Sequence, residues 1–366
     1  MPIYMDVHMV PGVKAQAVAK AHQQDLLMQE EHACTCMTYW VDEERETVFC
    51  LIEAPDKDAV KEMHRKAHGL VPNKVIEVSN SIVQSFLGRI YDPEGAEETE
   101  DGLKIISEPS FRILLLTFTT DPVVLDHQLG KEVAAALLNK QHQLIRNNLV
   151  AFGGREVEGV GSGFVLSFSS ASKAVSYALA ILNATDPDDA RRTGFRMSMQ
   201  GGEPIEKSSK LFGDTLQRAH HLGNIARPGS VVIADTVRQL VSKENNHADK
   251  NVIMLSPQDE GLVEAIFSSL EANWRQPDFD VEEYGQAMAM SKSQLYRKCI
   301  NLTGVSPNVL LKDFRLEKAR ELMKKQQYSI SQITFESGFS SPSYFTKCFK
   351  KKYGLLPLRY VELSQV

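Results

Sequence analysis

The side chains able to do chemistry collect at the two ends of this 366-residue sequence. Residues 1–85 hold three of the five cysteines and five of the ten histidines: His8, His22, His32, Cys34, Cys36, Cys50, His64 and His68. His64 and His68 are spaced i, i+4, so on a helix both rings leave the same face. Paired imidazoles of this kind hold transition metals. Thiolate beside imidazole favours zinc, nickel or copper over magnesium. The preferred ligand set is His8, Cys50, His64 and His68, with nickel or zinc as the ion. Cys34 and Cys36, adjacent on one strand face, form an alternative pair. The competing reading has these groups packed or simply facing water.

The other end carries hydrogen-bonding side chains on amphipathic helices. In DVEEYGQAMAMSKSQLYRKCINLTG (280–304), a short helix leads to Ser291, which can cap the next helix. Tyr284, Met288 and Leu295 form the apolar side, and Gly285 is small where two helices must cross. Ser293, Tyr296 and Arg297 then point outward, as on a DNA recognition helix. The pattern returns in SISQITFESGFSSPSYFTKCFKKKYG (329–354). Ile330, Ile333 and Phe345 point inward, Gly338 fits a turn of positive φ, Ser341 is a cap and Pro342 opens the helix. Ser343, Thr346, Lys347 and Lys350 face outward. The segment SPNVLLKDFRLEKARELMKK spaces the two units. Residues 291–366 hold fourteen Lys/Arg against five Asp/Glu, although the whole chain has a net charge of −6. Such a local excess suits the phosphate backbone, the main source of DNA affinity. Arg297 is the side chain expected to read a base, by pairing bidentately with guanine. The run Lys350–Lys352 reads as a solvated face of which part touches phosphate. Two capped units with local positive charge disfavour a plain helical bundle.

These two motifs, MSKSQLYRKCINLTGVSPNVLLKDFRLEKARELM and SISQITFESGFSSPSYFTKCFKKKYG, closely resemble the AraC/XylS family of bacterial regulators over roughly 100 residues. The resemblance implies two recognition helices in successive major-groove segments. By matched position it implies DNA contacts from Ser293, Tyr296 and Arg297, and from Ser341, Thr346 and Lys347. Thr334 stands where the family usually has Ala, and LPLRYVEL replaces the usual Pro-Ser-polar-Tyr-Arg ending. Neither departure removes a groove-facing residue.

Residues 112–242 resemble a class III nucleotidyl cyclase domain through RILLLTFTT, FGGREVEGVGSGFVLSF, MQGGEP and LFGDTLQRAHHLGNIARPGSVVIADTVRQLV. The positions matching the family's metal-holding carboxylates are Phe118 and Ser162, and neither can serve. Glu158 matches the purine-selecting lysine, while Gln217 and His221 match the transition-state asparagine and arginine. The resemblance thus implies an inactive, cyclase-like domain and no enzyme, with dimerisation as the surviving role and a retained effector pocket as the sharper option. GVGSG (159–163) sits in a hairpin without a following helix, which rules out a dinucleotide fingerprint. At the N-terminus, MPIYMDVH, YWVDEERETVFCLIEAPD and VKEMHRKAHGLVPNKVIEV resemble a small ferredoxin-like family that includes a nickel-binding bacterial protein.

The elements that position these residues follow from periodicity and turn signals. The first segment reads strand, helix, strand, strand, helix, strand, which suits a ferredoxin-like α+β sandwich. Residues 91–110 hold seven carboxylates and one lysine and read as a solvated linker. A weaker break falls at SPQDEG (256–261). The expected organisation is a ferredoxin-like sensor domain over 1–90, an acidic linker over 91–109, a central α/β cyclase-like sandwich over 110–255, and an all-α domain with two helix-turn-helix units over 261–366. No apolar run reaches the ~20 residues of a membrane helix, and the N-terminus shows no signal peptide. An odd, scattered set of cysteines argues for a reducing compartment, hence the cytoplasm. The expected function is sequence-specific transcription regulation, controlled by an effector such as a transition metal. The expected partners are promoter DNA, RNA polymerase for an activator, and a second copy of the chain in a homodimer, with no membrane.

Overall fold

The computed structural model describes residues 1–100, 102–157, 163–241 and 250–365. The first elements are β1 (Ile3–Met9), α1 (Ala15–Met28), β2 (Thr35–Asp42), β3 (Thr47–Glu53), α2 (Lys57–Ala67), β4 (Lys74–Val78) and α3 (Asn80–Leu87). The sheet order is β2-β3-β1-β4 with antiparallel neighbours, the ferredoxin-like arrangement. These strands are buried on both faces, so they lack the apolar–polar alternation of a half-solvated sheet. Tyr4, Tyr39, Val48, Cys50 and Ile52 pack with side chains of α1 and α2. Met5, Val7, Trp40, Phe49 and Leu51 pack against a second sheet.

That second sheet belongs to the middle of the chain. After a small hairpin of β5 (Glu97–Glu98) and β6 (Lys104–Ile105) come β7 (Arg112–Phe118), α4 (Pro122–Leu129), α5 (Lys131–Leu149), β8 (Gly154–Val157), β9 (Val165–Phe168), α6 (Ala171–Ala184), α7 (Pro187–Thr193), β10 (Arg196–Gly202), α8 (Gly213–Ile225), β11 (Val231–Ile233), α9 (Asp235–Arg238) and β12 (Val252–Met254). The order is β12-β11-β10-β7-β9-β8. Its last four strands follow the same path as the N-terminal sheet, and the two sheets share one core, with Leu114, Leu116, Val165 and Phe212 on the middle domain's side. Each sheet therefore covers a face that the other would leave open.

The acidic stretch is not the solvated linker expected from its charge. Leu103 and Ile106 are buried with the N-terminal core, and the Tyr39 hydroxyl donates to Lys104 O and accepts from Ile106 N, both at 3.0 Å. The carboxylates are mostly exposed while these two apolar residues anchor the strap.

The C-terminal part is helical: α10 (Pro257–Asn273), α11 (Val281–Ala287), α12 (Lys292–Thr303), α13 (Pro307–Lys324), α14 (Ile330–Glu336), α15 (Pro342–Tyr353) and α16 (Pro357–Leu363). The break expected at 256–261 is a helix start, capped by Ser256, and not a spacer. α10 packs its Val263, Ile266, Phe267 and Leu270 into the middle domain's core. His221 of α8 is buried against it, 2.9 Å from Glu264 and 3.2 Å from Glu271. Burial works against a charged imidazole, yet the two glutamates outweigh it and raise the His221 pKa to about 8. The folded value lies above the unfolded one, so this stabilisation is complete below pH ~6.5 and is lost as pH rises through about 8. It is worth no more than about 2 kcal/mol before solvent screens the part-exposed glutamates. Denaturation at pH 6 and pH 9 should show His221→Gln costing more at pH 6; an equal cost at both would refute the account.

A second contact ties α4 to the C-terminal helices. The Asp121 carboxylate, buried at the N-cap of α4, pairs with Arg320 and lies 2.7 Å from Lys324 Nζ. Val124 beside it enters the core made by Leu316, Ile333, Phe345 and Phe349.

Candidate functional site

Each helix-turn-helix unit is built by its caps. Ser291 and Gln294 form a reciprocal capping box at α12, and Ser329 and Gln332 form another at α14. The Ser341 hydroxyl accepts from Tyr344 N at 3.3 Å and starts α15, with Pro342 at the first helical position. Gly338 has φ +76°, and a Cβ there would sit 2.2 Å from Trp274 O. The sequence reading of this turn matches the backbone. The Tyr284 hydroxyl donates to Ile266 O at 2.9 Å and fixes the first unit on α10.

Counted from the caps Ser291 and Ser341, the two helices carry corresponding outward positions: Ser293 with Ser343, Tyr296 with Thr346, and Arg297 with Lys347. Ser293, Tyr296, Arg297, Ser343, Lys347 and Lys350 are exposed, while Thr346 and the capping Ser341 are half-buried. Tyr344 is also exposed on this face and was not singled out by its sequence context. The basic excess is partly internal. Arg315 donates to the carbonyls of Trp274, Gln276 and Phe279, Arg320 and Lys324 hold Asp121, and Lys352 reaches back to Asp313 O at 2.9 Å. Lys352 is therefore removed from the phosphate-facing run.

At the other end, the structure gathers His8, Cys50, His64 and His68 around two carboxylates, Asp6 and Asp25. β1 alternates its side chains, so Tyr4, Asp6 and His8 share the face beneath α1 and α2. The β1–β3 register sets Asp6 opposite Cys50. α2, capped by Asp56, supplies His64 in its last turn and His68 at its C-cap. α1 supplies Asp25. His64 is fully buried, with Nε2 2.8 Å from Asp6 Oδ2 and Nδ1 3.0 Å from Asp25 Oδ1. Burial disfavours charge on His64, but the two carboxylates overcome it and raise its pKa to about 10. Burial likewise opposes ionised Asp6, and His64 with His8 holds its carboxyl well below the usual range. Burial, then Asp6, pushes the Cys50 thiol well up. A cavity of about 80 Å³ lined by His8, Asp25, Cys50, His64 and His68 with valine and alanine side chains adjoins the cluster.

Two donor groups share His64: Asp6, His8, Cys50 and His64, and Asp25, His64 and His68. Leu70 N donates to His68 Nδ1 at 3.2 Å, which needs a lone pair there and places the His68 proton on Nε2, facing Asp25 3.2 Å away. Asp25 then receives protons from both His64 and His68. Asp6, His8, Cys50 and the Nε2 of His64 remain as donors, an O, N, S, N set that suits zinc or nickel. Asp25 would orient His64 from behind, as a carboxylate orients a ligating histidine. The alternative thiol pair does not join the cluster: Cys34 Sγ donates to His32 O, and Cys36 Sγ lies 3.7 Å from Met63 Sδ. His22 packs on Tyr39 with ring centroids 5.0 Å apart.

In the middle domain, Phe118 lies under the Arg196 guanidinium and edge-on to His220, and its ring offers a metal ion no carboxylate oxygen. Glu158 and Ser162 lie outside the described residues. Gln217 donates to Glu271 of α10, and His221 sits between Glu264 and Glu271. Both residues hold a helix.

Capped, paired helix-turn-helix units with an exposed second helix define a DNA-binding module. Residues 284–362 match the family model described as helix-turn-helix domain, and residues 4–78 match the model of the nickel responsive protein SCO4226-like family. The chain carries an AraC-type helix-turn-helix domain at its C-terminus and an SCO4226-like domain at its N-terminus, each match spanning well under half of the chain. It is 34% identical over 130 residues to histidine kinase P4 of Formosa agariphila, covering 35% of this chain and 10% of that protein. It is 32% identical over 108 residues to an uncharacterized HTH-type transcriptional regulator of Haemophilus influenzae, covering 30% of this chain and 36% of the relative. The solved structure of SCO4226 from Streptomyces coelicolor A3(2) is 32% identical, covering 21% of this chain and 94% of that one, with a TM-score of 0.20. The chain thus spans from 10% to 36% of the length of these two curated relatives. Among the described residues, no helix is long and apolar enough to cross a membrane.

Proposed function

We propose that this chain is a sequence-specific, DNA-binding transcription regulator whose N-terminal domain senses a transition metal ion, nickel or zinc. The observation that carries this reading is the pair of recognition helices whose cap-aligned outward positions stay accessible beside the rest of the protein. Ser293, Tyr296, Arg297, Ser341, Ser343, Thr346, Lys347 and Lys350 form the DNA face in this reading. Its target is promoter DNA in the cytoplasm; an activator would also meet RNA polymerase, and two copies would bind as a homodimer.

The middle domain serves as a non-catalytic, cyclase-like frame in this reading. The metal would be held by Asp6, His8, Cys50 and His64, with Asp25 and His68 orienting. Bound there, it would supply positive charge between buried donors and displace two protons to solvent, one from the Cys50 thiol and one from His64 Nε2, whose Nδ1–H would stay on Asp25. β1 joins the two halves of the device: Asp6 and His8 face the metal side, while Met5 and Val7 pack on the middle domain's sheet. A shift of β1 thereby reaches α4 and α10, which hold the DNA-binding helices. The ion acts only if it favours one arrangement over the other.

The test is fluorescence anisotropy with DNA from upstream of the protein's own gene. Binding should fall steeply with salt, by about 10³–10⁵ between 50 and 200 mM for six to ten phosphate contacts. Added nickel or zinc should change the affinity. Absence of DNA binding by the full-length protein at low salt overturns the regulator reading, whereas binding indifferent to both metals overturns only the sensor.

A further inference from the structure

The two helix-turn-helix units meet the middle domain at different places. In the first unit, Tyr284, Leu295 and Cys299 share a core with Leu222 and Ile225 of α8. The second unit has its own core, built around Leu316, Ile333, Phe345, Phe349 and Tyr360. Among the described residues, only Val123 and Val124 of α4 enter that core from the middle domain. α4 follows β7 and α8 follows β10, and these strands are paired neighbours with Phe118 opposite Arg196. One sheet therefore carries both supports.

Asp121 at the start of α4 does more than cap a helix. Its Oδ1 accepts from Val123 N at 3.1 Å, which is the work of an N-cap and could be done equally by asparagine. Its Oδ2 pairs with Arg320 and lies 2.7 Å from Lys324 Nζ, both on α13. Burial opposes the charge, yet Lys324 and Arg320 overcome it and hold the carboxyl below its ordinary range. A buried ion pair gains little over well-packed apolar residues, but pulling it apart strands a charge and costs much. Such a contact holds one arrangement.

The arrangement held here is that of the two units. α13 joins them, and each packs on its own half of that helix: Leu310 and Leu311 enter the first core, while Leu316, Ala319 and Leu322 enter the second. Arg320 and Lys324 lie on the second half. The second unit also leans on Trp274 at the end of α10. α4 adds the one support that comes from the sheet already fixing the first unit.

We infer that Asp121 is a positioning residue for DNA recognition: through Arg320 and Lys324 it fixes the second recognition helix relative to the first, and so sets the half-site spacing that the protein accepts. This rests on the DNA-binding reading and gives the middle domain a part in it.

The test uses the full-length protein and two variants. Asp121→Asn keeps the cap and loses the charge, and Lys324→Met removes an exposed ammonium without opening the core. A duplex selected from random DNA by the wild type is compared with derivatives having one base pair inserted or deleted between the half-sites. One base pair shifts the second half-site by about 3.4 Å and turns it by about 35°. The wild type should bind the derivatives roughly tenfold or more weakly than the selected duplex, and in both variants that ratio should shrink to about threefold or less. Hydrogen exchange should quicken in α14 to α16 of Asp121→Asn and stay unchanged in α11 and α12. A variant that merely weakens the fold would lose affinity for all the duplexes together, and an unchanged ratio overturns the inference. Unchanged exchange in α14 to α16 overturns it as well, as does a wild type that tolerates the inserted base pair. If the wild type selects no DNA, the regulator reading falls and takes the inference with it.

Discussion

Replacement of His64 by alanine should abolish stoichiometric nickel or zinc binding and cost roughly 3–5 kcal/mol of stability in the metal-free protein. The imidazolium lies between Asp6 and Asp25, both buried, and each ring nitrogen serves one carboxylate. Without the ring, two charges face each other in a site that water hardly reaches. The pH dependence has a defined sign. His64 titrates near 10 when folded against 6.5 as its ordinary value, so its contribution is full below pH ~6.5 and is lost as pH rises through about 10. Asp6 is held below its ordinary 3.8, so its contribution is present above pH ~4 and is lost as pH falls through the lowered value. The difference between wild type and His64→Ala should therefore peak between about pH 4 and 6.5. Adding Asp6→Asn to His64→Ala should recover part of the loss, because it removes one of the stranded charges. In wild type, metal at 100 times its Kd should add about 2.7 kcal/mol, and in the variant none. Urea denaturation across pH with metal content measured by mass spectrometry checks both halves. Equal stability of the two proteins from pH 5 to 7, or full metal content in the variant, would sink the account.

Four of the six side chains in that cluster, His8, Cys50, His64 and His68, were legible beforehand. The i, i+4 spacing of His64 and His68 needs only a helix, and the helix was evident from VKEMHRKAHG. Asp6 and Asp25 were not singled out, because each reaches His64 only through tertiary structure: Asp6 from β1 and Asp25 from the side of α1 that packs on α2. One signal was present, a charge at an inward position between Tyr4 and His8 on an otherwise apolar strand. The caps, helix starts and Gly338 turn of the C-terminal units were read almost to the residue because these signals are local. Charge patterning misled twice. Seven carboxylates over 91–110 hid Leu103 and Ile106, which pin that segment to the N-terminal core. The fourteen Lys/Arg of the C-terminal end included Arg315, Arg320, Lys324 and Lys352, which hold internal partners. Composition counts charges, and only packing tells which face outward.

Among the outward charges, Arg297 and Lys350 should fail in different ways when removed. Arg297 sits six residues after the α12 cap, as Lys347 does in α15, on the exposed face. A guanidinium can grip guanine through two hydrogen bonds, which an ammonium cannot reproduce. Arg297→Ala should therefore cost about 1–3 kcal/mol, roughly 5- to 150-fold, on the preferred site and level the preference at one base pair. Arg297→Lys should restore much of the general affinity without restoring that preference. Lys350 lies farther along α15, in its last turn. There Lys350→Ala should weaken binding to all sequences alike and reduce the slope of log K against log salt by about 0.9. Neither variant should unfold the protein, because both side chains are exposed and away from the core. Anisotropy titrations on a site library at two salt concentrations separate the two effects. If Arg297→Ala weakens every sequence equally, Arg297 contacts backbone phosphate, and base reading must pass to Tyr296, Ser293 or the second unit.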